Sequence, residues 1–242
     1  MTTFVLVHGA WGGSYGFAEV RRRLHRQGHD VFTPSLTGIG ERSHLVSPSV
    51  GLDTHIKDVV NTILYEDLHD IVLLGFSYGG MVVTGALEQI AARVQQLVYL
   101  DALLPGDGQS AYTLLKLKSD PDPAAIDIGS TWLVPPRPRE GPTLQATAWA
   151  NARRSMQPLK TLTDTVTLGR ALEQWPFGLT YIKATDDPDE RPDSAFWQAA
   201  QRTKAAAAQP AARWRYYEVD SNHMIPANKP DELVEILTHL AP

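Results

Sequence analysis

The sequence predicts an α/β fold, a mostly parallel central sheet flanked by helices with a small cap insertion. Three observations carry that expectation. Short apolar runs alternate with segments of helical period up to Leu100 and again from Leu179. The runs are apolar throughout instead of at every second residue, the pattern of strands buried on both faces. One of them, Ile71-Val72-Leu73-Leu74, runs straight into Gly75-Phe76-Ser77-Tyr78-Gly79-Gly80 and a helix-like segment.

Residues 4–7 read as the first strand, ending in His8-Gly9-Ala10-Trp11-Gly12-Gly13. Residues 17–26 have helical spacing (Phe17, Val20, Leu24) with arginines outward, and Gly28 sits where a C-cap glycine belongs. A second strand over 30–33 leads into the loop Pro34-Ser35-Leu36-Thr37-Gly38-Ile39-Gly40. Residues 54–68 form a helix by period (His55, Val59, Ile63, Leu64). Residues 71–74 are the third strand, 81–91 its helix and 96–100 the fourth strand. After Asp101 the alternation breaks. Residues 105–176 are rich in proline and polar side chains, as in Asp120-Pro121-Asp122-Pro123 and Val134-Pro135-Pro136-Arg137-Pro138. Helical patches are expected around 110–118, 143–153 and 163–173. This stretch reads as a cap or lid over one end of the sheet, leaving 1–104 and 177–242 as the core. The strand pattern resumes over 179–184. A helix follows over 194–208, then a last strand over 214–219 and a closing helix over 230–240 with Pro230 in its first turn.

The chain has 242 residues, 43% hydrophobic and 20% charged, with a formal net charge of −5. This is enough chain to bury roughly 70–75% of its unfolded surface without staples. The acidic balance argues against nucleic acid or an anionic membrane as partner. The absence of cysteine excludes disulfides, thiolate metal sites and a cysteine nucleophile. The first residues carry no basic region and only a four-residue apolar run, so a cytoplasmic location is expected. Nothing calls for a metal or an organic cofactor, and oligomeric state stays open.

The chemistry starts at Ser77. Glycines at 75 and 79 leave room for a sharp turn that pushes the serine out at the carboxyl end of its strand in a strained geometry. The Tyr78 N–H then faces the place where an oxyanion could form. A serine nucleophile needs a base, and His223 lies just beyond the last strand in Asp220-Ser221-Asn222-His223-Met224. The carboxyl ends of parallel strands share one edge, so residues 146 apart in the chain can touch there. His25, His29, His55, His69 and His239 lie on helices or at their ends and read as solvated, and His44 is a loop residue. His8 reads as structural, shaping the glycine loop so that the Ala10 N–H becomes a second oxyanion donor. The base needs an acid to fix its tautomer. Strand 179–184 ends in Thr185-Asp186-Asp187-Pro188-Asp189-Glu190, where Asp187 is preferred and Asp186 and Asp189 are alternatives. Asp101, which ends the fourth strand, is a second location. Trp11, Phe76 and Trp132 are the expected substrate-binding side chains, with Tyr78 and Trp149 as further aromatic candidates.

Phe4-Val5-Leu6-Val7-His8-Gly9-Ala10-Trp11, Pro34-Ser35-Leu36-Thr37-Gly38, Gly75-Phe76-Ser77-Tyr78-Gly79-Gly80-Met81, Leu97-Val98-Tyr99-Leu100-Asp101 and Asn222-His223 together resemble the α/β-hydrolases. The branch is that of plant hydroxynitrile lyases and plant methylesterases with their bacterial esterase relatives. The resemblance spans the core in order and is poor over 105–176. It implies Ser77 as nucleophile, His223 as base, an acid after the penultimate strand, and an oxyanion hole from Ala10 and Tyr78. Spacing to the Phe196-Trp197-Gln198 helix points to Asp187. Hydroxynitrile lyases of this branch carry a threonine in the glycine loop and a lysine directly after the histidine, where this chain has Gly9 and Met224. Lyase chemistry of that kind is therefore not expected. Phe76 stands where relatives often have His or Glu.

The function implied is that of a serine hydrolase, a carboxylesterase acting on a small to medium ester or lactone through an acyl-enzyme. Cofactor-free lyases, perhydrolases and dioxygenases on the same fold are the alternatives. A non-catalytic receptor on this scaffold would usually have lost its base. An NAD(P) oxidoreductase is suggested by the opening strand, glycine loop and helix and by Tyr112-Thr113-Leu114-Leu115-Lys116. Against it, Gly9, Gly12 and Gly13 do not form Gly-x-Gly-x-x-Gly, and no acid ends the second strand.

Overall fold

A computed structural model describes residues 1–116, 132–187, 191 and 193–241. The described strands are β1 (Thr3–Val7), β2 (Asp30–Phe32), β3 (Ile71–Phe76), β4 (Val94–Leu100), β5 (Leu133–Val134), β6 (Gln157–Pro158), β7 (Gly178–Ala184) and β8 (Trp214–Val219). Six of them form one sheet in the order β2-β1-β3-β4-β7-β8, every pairing parallel. β5 and β6 pair antiparallel by themselves. The helices are α1 (Ala18–Arg26), α2 (Leu52–Tyr65), α3 (Gly79–Ile90), α4 (Ala111–Leu114), α5 (Leu144–Asn151), α6 (Leu159–Thr163), α7 (Ala195–Ala207), α8 (Ile225–Asn228) and α9 (Pro230–Leu240). No helix among the described residues is long and apolar enough to cross a membrane.

The strands are apolar at every position because alternate residues feed two separate cores. Val5, Val7, Leu73, Leu97, Tyr99 and Tyr181 pack with α2, α3 and α7 on one face. Phe4, Leu6, Val72, Leu74, Val98 and Ile182 pack with α1 and α9 on the other. Each fully buried aliphatic side chain contributes roughly 1.5–3 kcal/mol relative to exposure. The chain fills the sheet outward from β1 to β2, then crosses to β3 on the other side of β1. This reversal opens a crevice at the carboxyl ends of β1 and β3, the place where open α/β sheets bind ligands.

The helix expected over 163–173 is not formed. Helical turns end with α6 at Thr163, and only a single 3-10 turn, Leu172–Gln174, follows. Between them Val166 N–H donates to Gln109 O, Gly108 N–H donates to Val166 O, and Ser110 bridges Thr165. Pairing with 108–110 satisfies this backbone laterally, which overrides the local helical pattern. The patch expected over 110–118 is realised as α4, and its last residues, 117 and 118, lie outside the described residues.

His55 corrects a second expectation. It is fully buried, not solvated. Its Nε2–H donates to Thr37 O at 2.8 Å, which leaves Nδ1 to accept from the Tyr78 hydroxyl at 3.0 Å. The ring is thus a neutral strut between the 34–40 loop and the start of α3. Burial pushes its pKa down from 6.5 to about 4. The unfolded chain therefore binds a proton that the folded one refuses between about pH 6.5 and 4. Stability from His55 is complete above pH 6.5 and drains away as pH falls to 4, by about 3 kcal/mol in all. Urea midpoints at pH 7 and 4.5 should converge for His55→Gln relative to the parent protein. Identical pH slopes for the two proteins would contradict this account.

Candidate active site

β3 delivers Ser77 into a turn so tight that it leaves no room for side chains on either side. A Cβ on Gly75 would lie 2.6 Å from Gly79 O, and one on Gly79 would lie 2.6 Å from Val7 O. Ser77 itself has φ 57°, a left-handed conformation that serine adopts only when the surroundings impose it. They do so through its backbone. Ser77 N–H donates to Leu100 O, and its carbonyl accepts from Gly80 and Leu103. The side chain is left at the carboxyl edge of the sheet.

His223 reaches the same edge from the loop after β8. Its Nε2 lies 2.9 Å from Ser77 Oγ, and its Nδ1 lies 2.6 Å from Asp101 Oδ2. The ring packs on Phe76 and Phe196, with centroids 4.8 and 5.2 Å away. Burial pushes the Asp101 carboxyl up, but the His223 hydrogen bond and the His223 and Lys183 charges more than offset it. The net direction is below the usual carboxylate range. An ionised Asp101 can only accept, so Nδ1 carries the ring proton and Nε2 is free to accept from the serine hydroxyl.

The acid at the histidine is therefore Asp101, and the preference for Asp187 is corrected. Asp187 instead faces Arg139 at 3.8 Å. Asp186 is exposed, and Asp189 lies outside the described residues. The physical reason sits in β7. Lys183 is completely buried and donates to Asp101 Oδ1 at 2.8 Å. Asp101 has φ 39°, and its N–H donates to Ile182 O at 2.7 Å. One carboxylate thus spans a lysine and a histidine. Sequence reasoning passed over Lys183, although a signal existed: a lysine inside the apolar strand Gly178–Ala184 requires a counter-charge. Since Leu100 pairs with Ile182, the next residue along the neighbouring strand is Asp101.

The glycine loop lies opposite. His8 is buried, accepts from Leu36 N–H at Nε2 and so donates from Nδ1 to Gly9 O, a structural role as its position suggested. Neither the Ala10 nor the Tyr78 N–H donates to a protein acceptor among the described residues. Trp11, at φ 60°, is held through all three of its polar groups by residues 134–157. Its N–H donates to Gln157 Oε1, its carbonyl accepts from Ser155 N–H, and its Nε1–H donates to Val134 O. Gln157 is fully buried. This latch on the loop beside Ala10 was invisible in the sequence.

A cleft of about 740 Å³ opens over these groups. Trp11 and Phe76 line it, as expected, and so do Trp149 and Tyr15. Trp132 does not. Its carbonyl accepts from Leu159 N–H where β5 meets β6, which fixes it in the scaffold of that segment. The Tyr78 side chain points away as well, buried against His55. Gly9 shows how close the loop comes to the serine. An added Cβ would sit 2.9 Å from Ser77 Cβ and 3.3 Å from its Oγ. Gly9→Ala should lower kcat about 10²-fold by displacing the hydroxyl, with little change in Tm. An unchanged kcat would show that the loop yields instead.

A serine, a histidine and an aspartate in hydrogen-bonded series at the carboxyl edge of a parallel sheet define an α/β-hydrolase arrangement. The chain belongs to the alpha/beta hydrolase family, whose model matches residues 4–236. A carbendazim hydrolyzing esterase of Nocardioides is 36% identical over 99% of this chain and 100% of its own length. A pyrethroid hydrolase of Sphingobium wenxiniae is 31% identical over 53% of this chain and 46% of its own. Among solved structures, an extracellular α/β-hydrolase from Paenibacillus superposes with TM-score 0.78 at 24% identity, covering 100% of this chain and 99% of that one. These esterase and hydrolase relatives put the protein among the carboxylic ester hydrolases of the family.

Proposed function

We propose that the protein is a serine carboxylesterase that cleaves a small to medium ester or lactone through an acyl-enzyme. The reading rests on one observation, the continuous series Asp101–His223–Ser77 with separations of 2.6 and 2.9 Å. In it His223 Nε2 takes the serine proton as Oγ attacks the carbonyl carbon. Asp101 keeps the ring in the productive tautomer and stabilises the imidazolium that forms. The N–H groups of Ala10 and Tyr78 receive the oxyanion, each worth about 3–4 kcal/mol of barrier. His223 then protonates the departing alkoxide. Water, activated by the same ring, releases the acid and returns the proton to Ser77. A cleft of about 740 Å³ suits one ligand of modest size. Met224 offers no cation to a cyanide leaving group, which disfavours the hydroxynitrile lyase alternative.

The test is stoichiometric phosphonylation of Ser77 together with a panel of short and long acyl esters, methyl aryl esters and lactones. Labelling at Ser77 with a burst of alcohol is the expected result. An unlabelled serine and no turnover across the panel would end the proposal.

A further inference from the structure

The cleft over Ser77 contains several charged side chains, and within the described residues all but Arg154 and Glu140 have a side-chain hydrogen-bond or ion-pair partner, Arg21 through the Thr33 hydroxyl. Arg139 faces Asp187. Glu41 accepts from Ser14, Tyr15 and Ser35. Glu19 pairs with Arg22 and Arg23. Arg154 is different. It lines the cleft with its guanidinium half-buried, and its Nε is sealed from solvent with no hydrogen-bond partner among the described residues. No ion pair reaches it there. The groups that act on its charge are Tyr15 and, unfavourably, Arg139, while burial itself lowers its pKa. Glu140 also lines the cleft, but it is not among those groups. The Trp11 ring lies 5.9 Å from Arg154 Cζ and gives the cation a flat apolar neighbour.

A half-buried cation without an acceptor is a cost to the free protein. It is relieved when a ligand brings the missing oxygen. The two Nη groups, which are not sealed from solvent as Nε is, present their N–H donors as a planar fork that matches a carboxylate. We propose that Arg154 is an anion-recognition residue and that the preferred substrates are esters bearing a second, free carboxylate. This reading rests on the proposed esterase activity and specifies its substrate class. The neutral ester group lies at Ser77, and the carboxylate lies on the Arg154 side of the cleft, along the Trp11 ring.

The experiment compares the dimethyl and monomethyl esters of isophthalic and terephthalic acid. In the parent protein kcat/KM for at least one monoester should exceed that of its diester by about tenfold to a hundredfold. Arg154→Met should bring that ratio to about one, and Arg154→Lys should keep part of it. Thermal shift supplies a readout independent of turnover. Isophthalate or terephthalate should raise Tm of the parent protein and not that of Arg154→Met. The ligand-free Arg154→Met protein should melt no lower than the parent, since it loses a charge that lacks a protein partner. A diester preferred by the parent, or a ratio untouched by Arg154→Met, would overturn the assignment. So would the absence of any dicarboxylate-dependent shift in the parent. If neither ester is hydrolysed but the Arg154-dependent shift is present, the anion site stands and the substrate class assigned to it fails, whereas the esterase reading fails only with an unlabelled Ser77 and an inert ester panel.

Discussion

Ser77→Ala is expected to lower kcat by about 10⁶-fold on any ester the enzyme turns over. The fold should not notice. The left-handed backbone at Ser77 is imposed by the main-chain bonds to Leu100, Gly80 and Leu103, none of which uses the side chain. Alanine tolerates φ 57° no worse than serine does. Among the described residues Oγ has one protein partner, His223 Nε2, and that nitrogen lies at the cleft where water can replace the hydroxyl. Far-UV spectra and Tm should therefore match the parent while the burst disappears. A residual rate above that of uncatalysed hydrolysis is expected, because substrate binding and the oxyanion donors proposed at Ala10 and Tyr78 survive. A variant that kept more than about 1% of kcat would show that His223 activates water directly and that no acyl-enzyme lies on the path.

Asp101→Asn should cost about 10⁴-fold in kcat, since the amide can donate to Nδ1 and favour the unproductive tautomer of His223. This change has a structural consequence that Ser77→Ala lacks. It removes the carboxylate oxygen to which fully buried Lys183 donates at 2.8 Å. Breaking a buried ion pair by removing one partner typically costs about 3–5 kcal/mol. Loss of activity must therefore be measured on protein shown to be folded. Asp101→Asn combined with Lys183→Met also removes the lysine charge and should recover part of the stability without recovering rate. Asp187→Asn is the discriminating companion. It breaks the 3.8 Å pair with Arg139 and should change kcat far less than Asp101→Asn. If the two single variants ranked in the opposite order, the acid would be assigned wrongly.

These two experiments bracket what was legible in advance. The pairing of Ser77 with His223 followed from strand order alone, because a parallel sheet gathers the ends of β3 and β8 at one rim whatever the side chains do. The acid did not follow. Asp101 and Asp187 lie just beyond adjacent strands, and spacing to the Phe196-Trp197-Gln198 helix favoured Asp187. What separates them is a contact between neighbouring strands, Lys183 against Asp101, together with the Arg139 side chain that faces Asp187. His55 went astray for a related reason. Helical period marked it as facing its neighbours with Val59 and Ile63. Its polarity suggested water, but Thr37 O and the Tyr78 hydroxyl supply both of its partners inside the protein.

The order of residues was enough for the sheet, its two cores, the tight turn at Ser77 and the meeting of serine with histidine. Periodicity and glycine placement act locally, and strand direction is a matter of topology. The folded chain was needed to show which carboxylate completes the series, how Gln157 latches the glycine loop, and that Arg154 in the cleft has no ion-pair partner among the described residues. Each of those depends on side chains from distant segments meeting within hydrogen-bond range, and hydrogen bonds and ion pairs discriminate over fractions of an ångström that spacing along a chain does not encode.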